Sequence, residues 1–175
     1  MSRPLVLKIL TSGDGGVGKT TLLHKYIEGE FLADTKMTIG VQFSIKEMNI
    51  DGFDVILQLW DFGGQERFRF LLENYVIGAK GALLMFDLTR AITLENIEQW
   101  VNICRSKDPN LPIIFLGTKA DLVGEQSLDE DYILYHKEKY NLFDYMITSS
   151  KTGLNVENAF ESLTRYIIKT IFLKH

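Results

Sequence analysis

The sequence predicts an α/β fold: a six-stranded, mostly parallel sheet that includes one antiparallel hairpin strand, with about five helices on its faces. Three observations carry this. Short apolar runs alternate with helical patterns from one end of the chain to the other, as a parallel sheet covered by crossover helices requires. A glycine-rich turn at residues 13–18 separates the first run from the first helical pattern. Asp51-Gly52 joins two segments of alternating hydrophobicity, the signature of a tight hairpin.

Taken in order, residues 5–10 read as a buried strand and 19–27 as a helix with Leu22, Leu23, Tyr26 and Ile27 inward. Val41, Phe43 and Ile45 alternate with Gln42, Ser44 and Lys46, and Phe53, Val55, Leu57 and Leu59 alternate with Asp54, Gln58 and Trp60. A period of two makes both segments strands. Further strands are expected at 82–87, 113–117 and 145–148, with helices near 92–106 and 128–140. Val156, Phe160, Leu163, Ile167 and Ile171 lie on one stripe of a last amphipathic helix, expected to cover the sheet. No repeat or linker interrupts the 175 residues, so a single domain over 1–175 is expected. Two irregular segments, about 30–40 and 61–72, are where loops and hence function are expected.

Composition excludes several classes. At 46% hydrophobic and 24% charged, with three prolines, the chain is neither disordered nor low-complexity. The 19 basic and 23 acidic residues leave a net charge of -4 without any Lys/Arg-rich stretch, which argues against nucleic acid as a partner. One cysteine forms no internal disulfide, and the first residues lack an apolar leader, so a reducing, cytoplasmic compartment is expected. The apolar runs fall far short of the ~20 residues needed to span a bilayer.

The residues 13–20, Gly13-Asp14-Gly15-Gly16-Val17-Gly18-Lys19-Thr20, fit G-x-x-x-x-G-K-[ST] in a strand-to-helix context. Small residues let backbone N–H groups close on an anion, and the helix that begins at Lys19 adds its positive dipole end. Lys19 should bridge β- and γ-phosphates; Thr20 should offer its hydroxyl to Mg²⁺, which takes oxygen ligands and keeps several waters. Thr21 belongs to the same cradle. The base is chosen further on, by Thr118-Lys119-Ala120-Asp121 at the end of the strand 113–117. Asp121 can accept from both N1–H and the exocyclic amine of guanine, whereas adenine offers no donor there. Sites built on such pairs reject the analogue by ~10⁴ or more in favourable cases.

With these motifs in place the chain resembles the Ras superfamily of small GTPases, and most closely its Rab branch. The resemblance covers essentially the whole chain: the phosphate loop, Thr38 within 38–43, the stretch 60–66 (Trp60-Asp61-Phe62-Gly63-Gly64-Gln65-Glu66), then 118–121, then Ser149-Ser150-Lys151. It implies the P-loop NTPase, small G-protein fold. It also implies roles. Phe31 would lie across the edge of guanine, Thr38 and Thr20 would ligate Mg²⁺, and Asp61 would hold the metal through water. Gly64 would give its N–H to the γ-phosphate and Gln65 would orient the attacking water, so that Gln65, Lys19, Thr38 and Gly64 form the catalytic set. Ser150 would supply a backbone N–H to guanine O6, with Ser149 beside it, while the stems of Lys119 and Lys151 sandwich the base. Phe43, Trp60 and Tyr75 match the aromatic triad on which Rab proteins display their nucleotide state to effectors; core packing of Phe43 and Trp60 is the alternative.

Three departures from the family pattern stand out. Phe62-Gly63 replace the usual Thr-Ala, and the double glycine is similar to the Arf branch and Gα subunits. Thr118 replaces asparagine, as in Rho-type proteins. Thr35 and Met37 stand where Ras has Tyr and Pro. No arginine occurs between Phe31 and Thr38, so the expected intrinsic turnover is slow, on the order of 10⁻⁴ to 10⁻³ s⁻¹.

The function expected is therefore a monomeric GDP/GTP switch that hydrolyses GTP with Mg²⁺, in Rab-like trafficking or signalling. A GTP-binding scaffold with little hydrolysis is the alternative, and an ATP-dependent P-loop enzyme is disfavoured by Asp121. Effectors, an exchange factor and a GTPase-activating protein are the expected protein partners, through Phe43, Trp60, Tyr75 and the two switch segments. Ser2 argues against myristoylation and residues 172–175 carry no prenylation cysteine, so membrane association is not expected to be encoded in these residues; a cytoplasmic protein is expected, peripheral on a membrane if a further tail carries a lipid anchor. Cys104 reads as a buried small hydrophobe, Trp100 as core or half-exposed helix surface, and His24, His136 and His175 share no metal-site spacing.

Overall fold

The computed structural model describes residues 2–33, 41–63, 66–124 and 128–173, the side chains of 66–68 excepted. Thr38, Gly64, Gln65 and residues 35 and 37 lie outside them. Strands β1 (Leu5–Ser12), β2 (Val41–Ile50), β3 (Phe53–Phe62), β4 (Gly81–Asp87), β5 (Ile113–Thr118) and β6 (Asp144–Ile147) form one sheet in the order β2-β3-β1-β4-β5-β6. Only the β2–β3 pair is antiparallel. Its register runs from Val41 opposite Phe62 to Ile50 opposite Phe53, closed by the expected Asp51-Gly52 turn. Both turn residues have positive φ, 50° and 85°, the conformation a two-residue loop needs to follow the twist of its strands.

The helices are α1 (Lys19–Glu28), α2 (Leu72–Tyr75), α3 (Ile92–Glu95), α4 (Ile97–Cys104), α5 (Glu130–Lys139) and α6 (Val156–Leu173), with 3₁₀ turns at Glu66–Leu71 and Ala120–Leu122. Six α-helices form among the described residues against about five expected, two more than the four that were given positions in the sequence. The single helix predicted near 92–106 is broken at Asn96, whose φ of −97° and ψ of 8° leave the helical region. The remaining addition is the one-turn α2, at the end of a stretch expected to be irregular.

Two cores flank the sheet. On one face α1 and α6 bury Leu22, Leu23, Phe160, Leu163 and Ile167 against Leu7, Ile9, Leu57 and Met85. Tyr26 of α1 stacks on Phe160 of α6 at 3.8 Å, the ring planes nearly parallel. On the other face Leu72, Leu94, Trp100, Cys104 and Ile133 pack on Leu10, Phe86 and Phe115. The last helix thus covers the sheet as its stripe requires. β2 divides the other way: Phe43 and Ile45 are exposed, while Met48 and Ile50 point to the α1/α6 core. An edge strand needs to bury only one parity of its side chains, and here the core parity is the even one.

Candidate nucleotide-binding site

The chain crosses from one side of the sheet to the other beside β1, and in doubly wound sheets ligands sit at the carboxyl ends of the strands at such a point. The loop from β1 to α1 lies there. At Gly13 the backbone φ is 135° and a Cβ would stand 2.3 Å from the Met85 carbonyl oxygen, so no other residue fits. α1 begins after Gly18 with no side-chain cap bond and no acidic residue in its first turn. Its N-cap residue is a glycine, which offers no side chain to the first N–H groups, and a helix start of this kind favours an anion.

Lys19 is almost fully buried, and its Nζ donates to the carbonyls of Gly13 at 2.7 Å and Asp14 at 2.9 Å. Burial pushes this ammonium down to about 8, against the carboxylates of Asp61 and Asp14, which hold it up, while the Arg69 guanidinium lowers it further. Beside it the Thr20 hydroxyl donates to Asp61 Oδ2 at 2.6 Å, with Asp61 only 3% exposed. A hydroxyl and a carboxylate converging beside a phosphate cradle are hard oxygen donors, so these residues fit Mg²⁺.

A cleft of about 270 Å³ extends from the cradle and is lined by Gly16, Val17, Gly18, Thr21, Phe31, Thr118, Lys119, Asp121, Ser150 and Lys151 among others. It gathers most of the predicted nucleotide contacts from four separate stretches of sequence. Asp121 is exposed in it, and the Ser149 hydroxyl donates to its Oδ1 at 2.7 Å, which fixes the plane of the carboxylate. The Thr118 hydroxyl reaches the Val17 carbonyl at 2.6 Å and the Phe86 carbonyl at 3.0 Å, tying the base loop to the phosphate loop. A larger groove of about 530 Å³ lies at the amino-terminal edge of the sheet, around Arg105, Pro112 and Phe143, and holds none of the motif residues.

Phe31 and Tyr75 are exposed, and Phe43, 48% exposed, meets Trp60 edge-on at 5.2 Å, with Trp60 in turn 5.8 Å from Tyr75. The core-packing alternative therefore fails for Phe43. Sequence reasoning missed the side-chain contacts around the cradle. Asp14 accepts from Arg69, Asn96 and Trp100, Asp87 pairs with Lys119, and Arg90 Nη1 stands 3.4 Å from the Gly15 carbonyl.

The sequence matches the Ras family profile over residues 8–169. It is 39% identical to the Ras-related protein RABA1f of Arabidopsis thaliana over 170 residues, covering 97% of this chain and 78% of that one. It is equally 39% identical, with the same coverage, to the Ras-related protein Rab11B of Nicotiana tabacum. The Ras-related protein rab-11.1 of Caenorhabditis elegans shares 36% over 171 residues, 97% of this chain and 81% of that one. The chain belongs to the Ras superfamily of small GTPases, in its Rab branch. As a Rab-branch GTPase it is a GTP-hydrolysing switch, and the mixed six-stranded sheet is the fold of that family. Family members bind GTP and GDP with Mg²⁺. No described helix of this Rab-branch protein is long and apolar enough to cross a membrane.

Proposed function

We propose that this chain is a Rab-like switch of membrane trafficking that binds GDP and GTP in the cleft at Asp121 and hydrolyses GTP slowly with Gln65, Lys19, Thr38 and Gly64. The observation that carries the reading is the joining of two chemistries in one cleft: the glycine-rich loop that precedes the buried Lys19 on one side, and the Asp121 carboxylate, bonded by Ser149, with Lys119 and Lys151 in the same lining, on the other. Asp121 accepts from the guanine N1–H and amine. Lys119 and Lys151 cover the faces of the base, Phe31 its edge, and the Ser150 N–H its O6. Lys19 and the N–H groups of 15–21 hold the phosphates.

Thr20, Asp61 and Thr38 would hold Mg²⁺, which when bound neutralises charge on the β- and γ-phosphates. Gln65 orients the attacking water and Gly64 binds the γ-phosphate. The loss of that phosphate releases the segments of Thr38 and Gly64, an order–disorder change of the kind seen in GTPase switches. Partners read the state on Phe43, Trp60 and Tyr75, three exposed or half-exposed rings in contact with one another. The Lys8 ammonium, 4.4 Å over the Trp60 ring, supports the middle ring from beneath.

The test is the nucleotide that co-purifies, expected to be GDP, followed by single-turnover hydrolysis of GTP with and without Gln65→Leu. The expected rate is on the order of 10⁻⁴ to 10⁻³ s⁻¹, slowed by the substitution. Equal rates for both proteins would favour a GTP-binding scaffold, and displacement of labelled GDP by ATP would overturn the guanine reading.

A further inference from the structure

Asp87 ends β4 with a fully buried side chain. A carboxylate out of water needs partners: Oδ1 is hydrogen-bonded and Oδ2 sits in an ion pair. Oδ1 accepts from the Thr89 N–H at 2.8 Å and the Thr89 hydroxyl at 2.6 Å. Oδ2 lies 2.9 Å from Lys119 Nζ, whose side chain is 35% exposed. The same ammonium donates to the Gly16 carbonyl at 2.9 Å, so one lysine joins the phosphate loop, the end of β4 and the base loop. Burial alone would raise the Asp87 carboxyl; its bonds from Lys119 and Thr89 bring it below the usual carboxylate range, so it is charged when it holds Lys119.

Lys119 is also one of four described non-glycine residues with positive φ, at 62°. A lysine in the left-handed region is costly and persists where its surroundings fix it. The Ala120 N–H bond to the Thr148 carbonyl at 3.0 Å fixes the backbone on one side, and the Asp87 ion pair fixes the side chain on the other.

We infer that Asp87 is a positioning residue of the nucleotide site: its carboxylate holds the Lys119 ammonium against the Gly16 carbonyl and thereby keeps the base loop and the phosphate loop closed on a bound guanine nucleotide. The inference rests on the reading of the cleft given above and adds to it a residue that touches no nucleotide. Its effect falls on dissociation. Association depends on the approach to an exposed cleft, whereas release requires the two loops to part.

The experiment is stopped-flow release of fluorescently labelled GDP from the full chain. Wild type, Asp87→Asn, Lys119→Ala and the double variant are compared. Asp87→Asn keeps the shape and one acceptor but removes the charge, and a charge-assisted bond of this kind is worth about tenfold or more in release rate. The expected result is about tenfold faster release from Asp87→Asn, an unchanged association rate, and less than about twofold further acceleration when the same change is made in Lys119→Ala. Equal acceleration in both backgrounds would mean that Asp87 acts on the fold and not through Lys119, and would overturn the inference. So would a release rate within about twofold of wild type. Should Asp87→Asn not fold, Thr89→Val, at an exposed position that braces the carboxylate, is read in the same way, with release about threefold faster expected and an unchanged rate overturning. A wild-type chain that fails to bind labelled GDP at all would instead overturn the nucleotide reading, and this inference with it.

Discussion

Arg69 and Asp14, 55 residues apart, form an ion pair of 3.0 Å in which each side chain is only 13% exposed. Asp14 is a point of convergence: its Oδ1 also accepts from the Trp100 indole N–H at 2.9 Å, and its Oδ2 from the Asn96 amide at 2.9 Å. Arg69 in turn lies 4.9 Å over the Trp100 ring and donates to Gln99 Oε1. One carboxylate of the phosphate loop therefore fastens the 3₁₀ turn Glu66–Leu71 and the start of α4 to the cradle.

Removal of that carboxylate takes a shared acceptor away from three donors in low-dielectric surroundings. Breaking a buried pair costs about 3–5 kcal/mol, and the residual exposure of both partners brings the expectation for Asp14→Ala down to about 2–4 kcal/mol. Urea unfolding at saturating GDP measures it. A double-mutant cycle with Arg69→Ala should return a coupling above about 1 kcal/mol, and additive losses would show that the pair is only a surface contact.

Thr118 stands where the family usually has asparagine, and its hydroxyl reaches both Val17 and Phe86 carbonyls. Thr118→Val keeps the volume and removes the hydroxyl that ties the two loops. Release of GDP should be accelerated about threefold to tenfold, with binding still specific for guanine because Asp121 is untouched. Competition with ATP and GTP separates the two properties; a rate equal to wild type would mean that Ser149 and Lys119 alone hold the base loop.

What was legible in the sequence is what depends on local spacing. The glycine-rich turn between Leu10 and Lys19, the Asp51-Gly52 hairpin and the stripe from Val156 to Ile171 each announce themselves within a few residues, because helix and strand periods act locally. The break at Asn96 was not legible: the Asn96 amide bonds there to Asp14, 82 residues away, a contact that no local spacing announces. Asp14 and Asp87 were missed for the same reason. A single aspartate in a loop or at a strand end has no spacing signature, and its partners are chosen by the tertiary fold. The faces of β2 were readable as alternating but not as to which parity the core takes, since polar Ser44 and Lys46 share the inner side with Met48 and Ile50.

Cys104 is expected to be inert. It is buried, and burial pushes its thiol up to about 11, with its bond to the Ser12 hydroxyl at 3.4 Å and the Arg105 charge only partly opposing the shift. Thiolate is the reactive form, so at pH 8 the folded protein should react with a disulfide reagent at least about a hundredfold more slowly than the urea-unfolded chain. Comparable rates would place Cys104 in an opening segment of α4.

Lys19 sets a pH dependence whose sign follows from its displaced pKa. Unfolded, the group titrates near 10.5; in the folded chain it titrates near 8, burial being the largest cause. Between those values the unfolded chain binds more protons, so in the nucleotide-free protein this group's contribution makes stability rise with pH from about 8 to 10.5. A bound diphosphate reverses the balance, because two or more negative charges beside the ammonium favour its protonated form and move its pKa back upward. Binding of GDP must then take up a proton above pH 8, and affinity must weaken as pH rises through that region. Calorimetric titration at pH 8.5 in two buffers of different ionisation enthalpy should give uptake of roughly half a proton or more per GDP. Zero uptake or release would show that Lys19 is already fully charged in the empty cradle, with Asp61 and Asp14 outweighing its burial.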